Sequence, residues 1–371
     1  MTRRFRRRNA VMLVLVAGLV GGVVRTAAEA ADKPKAKAKA KAKQEKPKGG
    51  PTYIDPKDAP ADWKVQGEYV GKCGDDKLGV QVIALSNGCF QAVIYPGGLP
   101  GDGWGGKVRI PIDGKTTGGK TVFEASKADK KYMAGPPEQF SALRDNPPGG
   151  QKNWEAVLEG ERMNGRTDNG RKFVAEKIVR ESPTVGAKPP AGAIVLFDGT
   201  DPDEWNGGKM DDRKLLAAGT GTKKEFTDFT VHLEFMTPFK PDARSQGRGN
   251  SGVYLQHRYE VQVLDSFGLE GLDNECGGVY KKGNSKVNMC FPPLTWQTYD
   301  IEFTAPKFEN GQKVAPACAT IKHNGVVIHD QLKIDGKTGG SKGEEGQPGA
   351  LYLQGHGNPV FFRNIWIVPK N

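Results

Sequence analysis

Residues 250–268 combine the period of a β-strand with side chains that could do acid–base chemistry. The apolar Val261 and Val263 occupy alternate positions of one run. Glu260 and Gln262 occupy the other positions. Because alternate residues of a strand point to opposite faces, burial of the valines would place a carboxylate and an amide about 7 Å apart on the other face. We interpret that face as a sugar-binding surface; the alternative is an ordinary solvated face of an antiparallel sheet.

The elements that must position this face are short strands. Residues 192–371 contain eight strand-like runs separated by turn residues such as Asn324-Gly325, and no amphipathic pattern of three helical turns. This arrangement predicts an all-β domain of two packed sheets. In the predicted register Val261 is buried between the sheets and Glu260 points to the concave side, so a solvent-facing Val261 would contradict the prediction.

Residues 51–185 predict a second, smaller β-domain. Strand-like runs flank Asn87-Gly88, a dipeptide that tolerates the positive φ of a tight hairpin turn. The Gly/Pro-rich loop at 96–106 lacks the Lys-Ser ending of a phosphate-binding loop. Because no constellation of catalytic groups is evident, we interpret this region as an accessory domain. A linker at 182–191 joins it to the second domain.

The N-terminus predicts an export signal peptide over residues 1–30. Five arginines between positions 3 and 8 precede an apolar run at 10–24 and a small-residue cleavage site at 28–30. The protein is therefore expected to be secreted or periplasmic. The alternative is an uncleaved anchor, for which this run is short, since a membrane span needs about 20 residues.

Residues 31–50 are rich in Lys and Ala and predict a disordered linker. Residues 1–50 hold 14 Lys/Arg and 3 Asp/Glu, which accounts for the whole formal net charge of +11. The remaining residues carry 40 charges of each sign, so the folded part has no basic excess and a nucleic-acid partner is not expected. The lysine tail could make weak contact with the anionic cell envelope; the alternative is a solvated spacer.

Several motifs of residues 192–371, in their order, resemble those of the 3-keto-disaccharide hydrolase domain family. They are residues 196–200 with Trp205, residues 226–235, residues 250–254, residues 259–265, residues 296–300, Asn324-Gly325, His356-Gly357 and residues 360–365. The resemblance implies a concanavalin A-like jelly roll with the sugar site on its concave sheet. Residues 51–185 resemble the N-terminal extensions of exported planctomycete members. One departure is the segment 240–249, which is longer than usual and puts the family's substrate range in doubt.

The resemblance implies action on glycosides already oxidised to a ketone at carbon 3. Such a ketone acidifies the hydrogen at carbon 2, so a base can remove it and the glycosidic oxygen at carbon 1 can leave by β-elimination, followed by hydration. This chemistry needs a base, a group that stabilises the enolate and an acid for the leaving oxygen. An oxidised carbohydrate is the expected substrate, and a separate sugar 3-dehydrogenase is an expected upstream partner.

Glu260 is the candidate base and His356 the candidate acid or enolate donor, since His356 continues the alternation of Tyr352 and Gln354. The alternatives are a cross-strand partner for Glu260 and a turn cap for His356. The candidate substrate-binding residues are Gln262, Asp265, Glu234, Asn250, Tyr254, Gln256 and Arg363. If the protein were a conventional glycosidase with two opposed carboxylates, Glu234 and Glu260 would be the pair to test.

No cofactor is predicted with certainty. The five histidines lack the spacing of metal ligands, and the pair His232 and Glu234 has no cysteine partners of a zinc site. A divalent cation held by Asp265, Asp273 and carbonyl oxygens is the remaining option; the alternative is that these acidic residues are solvated.

Five cysteines in an exported chain favour disulfides. We predict Cys73 with Cys89 and Cys276 with Cys290, leaving Cys318 unpaired. The sequence as a whole predicts an exported enzyme that cleaves 3-keto-glycosides. The alternative is a carbohydrate-binding or cell-surface module without catalysis, because jelly rolls bind sugars as readily as they cleave them.

Overall fold

The computed structural model describes residues 50–145 and 152–370. The predicted signal peptide and all but the last residue of the predicted Lys/Ala-rich linker lie outside the described residues. Among the described residues, no helix has the length and apolarity needed to cross a membrane. The regular secondary structure of this part of the chain consists mainly of strands, as predicted. Its helical elements are α1 (Ala61–Val65) and the 3-10 turns Pro56–Asp58, Pro137–Gln139 and Ser245–Gly247.

Eight antiparallel strands of the N-terminal region close into a barrel in the order β1-β10-β9-β8-β5-β4-β3-β2. The strands of this region are β1 (Gly67–Cys73), β2 (Asp76–Ala84), β3 (Cys89–Pro96), β4 (Ile110–Thr117), β5 (Lys120–Ala125), β6 (Lys131–Tyr132), β7 (Phe140–Ser141), β8 (Glu155–Glu159), β9 (Arg162–Arg166) and β10 (Lys172–Ile178). β6 and β7 form a small parallel pair outside the barrel. The turn at Asn87-Gly88 joins β2 to β3 with φ angles of 52° and 68°, which suits this dipeptide.

Strands β2 and β3 are buried on both faces. Val80 and Val82 point into the apolar interior of the barrel. Ile83, Val93 and Tyr95 point outward and pack into the core of the C-terminal domain. The barrel therefore shares a continuous apolar contact with that domain, which explains why β2 and β3 read as nearly unbroken apolar runs.

The C-terminal domain packs a seven-stranded sheet against a four-stranded sheet. The larger sheet has the order β11-β23-β14-β17-β20-β21, with β12 paired to β23, and the smaller one has the order β13-β22-β15-β16. The strands are β11 (Ile194–Phe197), β12 (Leu216–Ala217), β13 (Thr220–Phe226), β14 (Asp228–Met236), β15 (Ser251–Leu255), β16 (Tyr259–Val263), β17 (Gln297–Thr304), β18 (Lys307–Glu309), β19 (Gln312–Ala315), β20 (Ala317–His323), β21 (Val326–Ile334), β22 (Gly349–Leu353) and β23 (Phe361–Lys370). The short β18 and β19 form a separate hairpin.

The predicted register of the smaller sheet is confirmed. Val261 is 0% exposed and lies with Val263 in the core between the two sheets, against apolar residues of β14 and β17. Glu260 and Gln262 therefore point away from that core, to the outer face of the four-stranded sheet. The hairpin turn at Asn324-Gly325, between β20 and β21, is also present.

Both predicted disulfides are wrong, because all five cysteines are free thiols. Cys73 ends β1 and Cys89 begins β3, and β2 lies between these strands. Two strand spacings, about 9.6 Å, already exceed the reach of a disulfide. Cys276 and Cys290 are in contact with each other, but as buried thiols.

Candidate active site

Glu260 lies on β16 directly opposite Tyr254 of β15. Its side chain is almost fully buried, with 3% of the residue exposed. The carboxylate leans over Gly252, where a Cβ atom would come within 2.4 Å of Oε1. The absence of a side chain at position 252 therefore makes the space that the carboxylate occupies.

The surroundings of Glu260 suit a proton acceptor near neutral pH. Burial raises the pKa of Glu260 to about 7, and a hydrogen bond with the Tyr254 hydroxyl offsets part of that rise. The pKa of Tyr254 is raised as well, by burial first and then by the neighbouring Glu260, so its hydroxyl stays protonated. The site thus pairs a titrating carboxyl group with a neutral phenol.

A loop that follows β21 covers this pair. The Tyr254 hydroxyl donates to the Gly339 carbonyl oxygen at 2.7 Å, and the Glu260 backbone N–H donates to the Thr338 hydroxyl at 2.9 Å. Gly340 has a φ of 76°, and a Cβ atom there would lie 2.7 Å from the Tyr254 hydroxyl oxygen. The loop can pass this close to the site because position 340 carries no side chain.

Aromatic rings lie next to Glu260 on the same face. The His257 ring stacks on Tyr352 with ring centroids 4.0 Å apart, and Tyr254 meets both rings edge to face. The Gln354 amide nitrogen donates to the Tyr254 hydroxyl oxygen at 3.1 Å. A half-buried aromatic surface beside convergent polar groups is typical of a small-ligand site. The sequence prediction missed His257, because it lies in the hairpin turn rather than in a strand.

The other predicted residues of this face use their side chains mostly for hydrogen bonds within the protein. Gln262 donates through its amide nitrogen to the Asn250 side-chain oxygen at 2.8 Å, and Asn250 donates to Gln246 at 3.0 Å. Gln256 lies in the β15–β16 turn, where its amide nitrogen donates to the Phe226 carbonyl oxygen at 2.9 Å. The Gln256 amide is therefore bonded within the protein, and its role in substrate binding stays a prediction.

Asp265, which was predicted to bind substrate or a cation, is paired with a buried arginine. Arg248 donates to the Asp265 carboxylate from Nη2 at 2.7 Å and from Nε at 3.0 Å. The same arginine donates to the Ala84 carbonyl oxygen of β2 at 3.1 Å, so the pair ties the two domains together. No cluster of three or more potential metal ligands occurs within residues 50–145 and 152–370.

Glu234 and Arg363 lie on the opposite side of the sandwich from Glu260. Glu234 of β14 points away from the core, on the outer face of the seven-stranded sheet, and accepts from Arg363 Nε at 2.7 Å. It also accepts from Asn364 at 2.9 Å and from the Gly186 backbone N–H at 2.6 Å. The expectation that Glu234 and Arg363 share a sugar site with Glu260 is therefore wrong, and so is the pairing of the two glutamates as opposed carboxylates.

Part of the predicted linker covers the outer face that carries Glu234. Ser182 and Thr184 bond to the side chains of β17, with Thr184 donating to Asp300 at 2.8 Å. Asn364 and Trp366 both donate to the Ala187 carbonyl oxygen. Residues 182–187 thus form a strap held against the outer face of the seven-stranded sheet.

His356 lies in an exposed loop beyond the end of β22, away from the core of the face. It lines a cleft of about 810 Å³ between the barrel and the C-terminal domain. Glu260 is not among the residues that line this cleft. The structure therefore does not bring the two predicted catalytic residues into contact.

The fold and the site define a concanavalin A-like jelly-roll protein with a buried carboxyl group on the outer face of its smaller sheet. Residues 192–368 match the family described as the 3-keto-alpha-glucoside-1,2-lyase-like domain. This part of the chain belongs to the family. The match begins after the last barrel strand, so the barrel lies outside it.

Two crystal structures of provisionally assigned glycosyl hydrolases from Parabacteroides distasonis ATCC 8503 are similar to the chain. The first is 35% identical, covers 49% of this chain and 85% of its own, and has a TM-score of 0.45. The second is 19% identical, covers 52% of this chain and 99% of its own, and has a TM-score of 0.36. No curated protein matches the chain.

Proposed function

We propose that this protein is an exported enzyme that cleaves 3-keto-glycosides by removal of the carbon 2 proton, β-elimination and hydration. The observation that carries the proposal is Glu260, a buried carboxyl group whose pKa of about 7 makes it both a usable base and a usable acid near neutral pH. The family supports the substrate class, because its description names a 3-keto-alpha-glucoside lyase.

The reaction divides into two steps. The Glu260 carboxylate takes the proton from carbon 2, the electron pair forms the enolate with the ketone oxygen at carbon 3, and the bond from carbon 1 to the glycosidic oxygen breaks as the enone forms. The leaving oxygen takes up a proton and departs as an alcohol. Water then adds across the carbon 1–carbon 2 double bond, which gives the free 3-keto sugar.

Tyr254 is the group best placed to assist. Its hydroxyl contacts Glu260 and stays neutral because burial raises its pKa, so it can donate a hydrogen bond to developing negative charge. In the structure that proton is directed to the Gly339 carbonyl oxygen, and substrate would have to replace this contact. The role of His356 as acid stays a prediction. The stacked rings of His257 and Tyr352 offer an apolar surface for the sugar ring.

The ketone must be supplied by a reaction that oxidises the carbon 3 hydroxyl of a glycoside, so a sugar 3-dehydrogenase remains the proposed upstream partner. Export and weak contact of the lysine tail with the cell envelope are also parts of the proposal. They are supported by the sequence of residues 1–50.

Turnover of matched glycosides tests the function. Purified protein is incubated with 4-nitrophenyl 3-keto-glucoside and with the unoxidised glucoside, and release of nitrophenol is followed. The proposal expects release from the keto form and none from its parent. Equal release from both would indicate a conventional glycosidase, and binding without release would indicate the carbohydrate-binding module.

A further inference from the structure

The cleft between the two domains is built largely from segments outside the sandwich strands. Its walls come from the β2–β3 turn (residues 85–87), the barrel loop 135–137, the long segment 240–247 and the loop 356–358. Arg244 fixes the barrel to that long segment, because its guanidinium donates to the Leu85 carbonyl oxygen at 2.8 Å and to the Pro241 carbonyl oxygen at 2.6 Å. The barrel is thus a fixed wall of the cleft.

Two hydrogen-bond chains connect this cleft to the face that carries Glu260. One runs from Gln262 through Asn250 to Gln246, which lines the cleft. The other runs from Tyr254 to Gln354, two residues before the cleft residue His356. Gln262 lies two residues from Glu260 on the same face of β16, about 7 Å away. Because its hydrogen bonds lead on to Gln246, the cleft begins beyond the end of the face on which the proposed reaction takes place.

In the part of the chain that the structure describes, the cleft contains an ammonium group that has no carboxylate partner. Lys240 is 8% exposed, and its Nζ donates to the neutral Asn358 side-chain oxygen at 2.7 Å. Within the described residues no carboxylate lies within ion-pair distance of Lys240. Asp242, the carboxylate that lines the cleft, is exposed. A buried cation with free donors and one neutral partner is expected to bind an anionic group.

We propose that this cleft binds the leaving group of the glycoside, with Lys240 selecting leaving groups that carry a carboxylate or sulfate. The inference rests on the proposed function, because it places the sugar at Glu260 and the leaving group toward Gln246 and His356. It gives the barrel a role in specificity. An anionic leaving group then bonds to Lys240 in a partly desolvated cleft, where a charge-assisted hydrogen bond is strong.

The charge is tested with two isosteric substrates, the 4-carboxyphenyl and 4-carbamoylphenyl 3-keto-glucosides. The wild type is expected to prefer the carboxylate by about tenfold in kcat/KM. Lys240→Met should remove the preference, and Lys240→Arg should retain most of it. Lys370→Met is the control, since Lys370 pairs with Glu302 on an exposed surface, and it should leave the preference unchanged. A wild type without preference, or a Lys240→Met variant that keeps it, would overturn the inference.

The barrel wall is tested by filling the cleft. Gly135 lines the cleft, its φ lies outside the left-handed region, and no atom lies within 4 Å of the position that a Cβ would take, so Gly135→Phe should fold and occupy the space. It should lower kcat/KM for both aryl substrates about tenfold while turnover of methyl 3-keto-glucoside is kept. Gly105→Phe, at a barrel position with equally open space outside the cleft, is the control. Equal loss for the aryl and methyl substrates would contradict a leaving-group site.

Failure of the proposed function gives a different result. If the wild type cleaves none of the three keto-glycosides, the proposed function is wrong. Calorimetric binding of the unoxidised 4-carboxyphenyl and 4-carbamoylphenyl glucosides then still tests the cleft. A preference for the carboxylate that Lys240→Met removes would support an anion-selective site, and equal binding would overturn it.

Discussion

Glu260 and Glu234 are both buried glutamates on strands of the C-terminal domain, and each points away from the core between the sheets. The pKa values of the two carboxyl groups nevertheless shift in opposite directions. Burial raises the pKa of Glu260 to about 7. Burial acts in the same direction on Glu234, but hydrogen bonds from His232, Asn364, Gly186 and Arg363 together outweigh it and lower the pKa to about 2.

The difference lies in the number of donors around each carboxyl group. Glu234 is covered by the strap of residues 182–187 and is bonded by a backbone amide, a carboxamide and a guanidinium. Glu260 has the Tyr254 hydroxyl, whose proton is already directed to a carbonyl oxygen. A carboxylate that accepts several hydrogen bonds stabilises the fold. One with few donors is available for chemistry, at a cost in stability.

The largest expected effect is on turnover by Glu260→Gln. The amide keeps the shape of the side chain but cannot accept the carbon 2 proton, so kcat should fall about 10²- to 10⁴-fold with little change in substrate affinity. Exchange of the carbon 2 hydrogen with deuterated water should be lost in parallel. Gln262→Ala is the comparison, and it should mainly weaken binding. Normal isotope exchange in Glu260→Gln would assign the base to another residue.

The comparison predicts stability changes of opposite sign. At pH 8, Glu234→Gln should lower the free energy of unfolding by about 2–4 kcal/mol, because Arg363 and the strap lose their anionic partner. Glu260→Gln should raise it by about 1–3 kcal/mol, because the variant no longer buries a charge. Urea unfolding of both variants measures the two values. Destabilisation of the same size in both would show that Glu260 is a structural residue.

The pH dependence of stability follows from the same two shifts. The pKa of Glu234 is lower in the folded chain, so its contribution is complete above about 4.5 and is lost as the pH falls toward 2. The pKa of Glu260 is higher in the folded chain, so its ionisation reduces stability as the pH rises from about 4.5 to 7. The free energy of unfolding of the wild type minus that of each glutamine variant, plotted against pH, should therefore slope in opposite directions for the two positions.

Gly252→Ala sharpens the comparison by moving the Glu260 carboxylate without changing its chemistry. The added Cβ would lie 2.4 Å from Oε1, so the carboxylate must shift. Misplacement by about 1 Å can lower turnover about 10- to 100-fold. Gly105→Ala is the control: its Cβ position has open space, so turnover should stay unchanged. Full activity in Gly252→Ala would mean that the observed carboxylate position is not the reactive one.

The smallest expected effect is on the pH profile. The rate constant kcat/KM should rise with pH around a midpoint of about 7, as Glu260 loses its proton. In Tyr254→Phe the midpoint should move upward, because the carboxylate loses a hydroxyl that can turn its proton from the Gly339 carbonyl oxygen to Glu260 and so lower its pKa. Rates across pH 5 to about 9 locate both midpoints. A midpoint near 4.5 in the wild type would contradict the burial of the base.

The alternation of residues 253–263 was sufficient to predict the two strands and the face on which Glu260 lies. Strand parity is a local property, so a buried Val261 fixes the direction of its neighbours without knowledge of the rest of the fold. Glu234 was also predicted to bind substrate, but strand parity could not show that the two glutamates lie on opposite sides of the sandwich. That depends on which sheet each strand joins.

The sequence by itself determined the all-β class, the strand positions around the site, the family and the identity of Glu260 as a candidate base, because periodicity, turn dipeptides and motif order are local signals. The tertiary structure decided what each polar residue does. Arg248 neutralises Asp265, the strap and Arg363 both bond to Glu234, and barrel loops form a wall of the cleft beside His356. These contacts join residues far apart in the chain, and the pKa of a carboxyl group is set by the donors and burial that such contacts create.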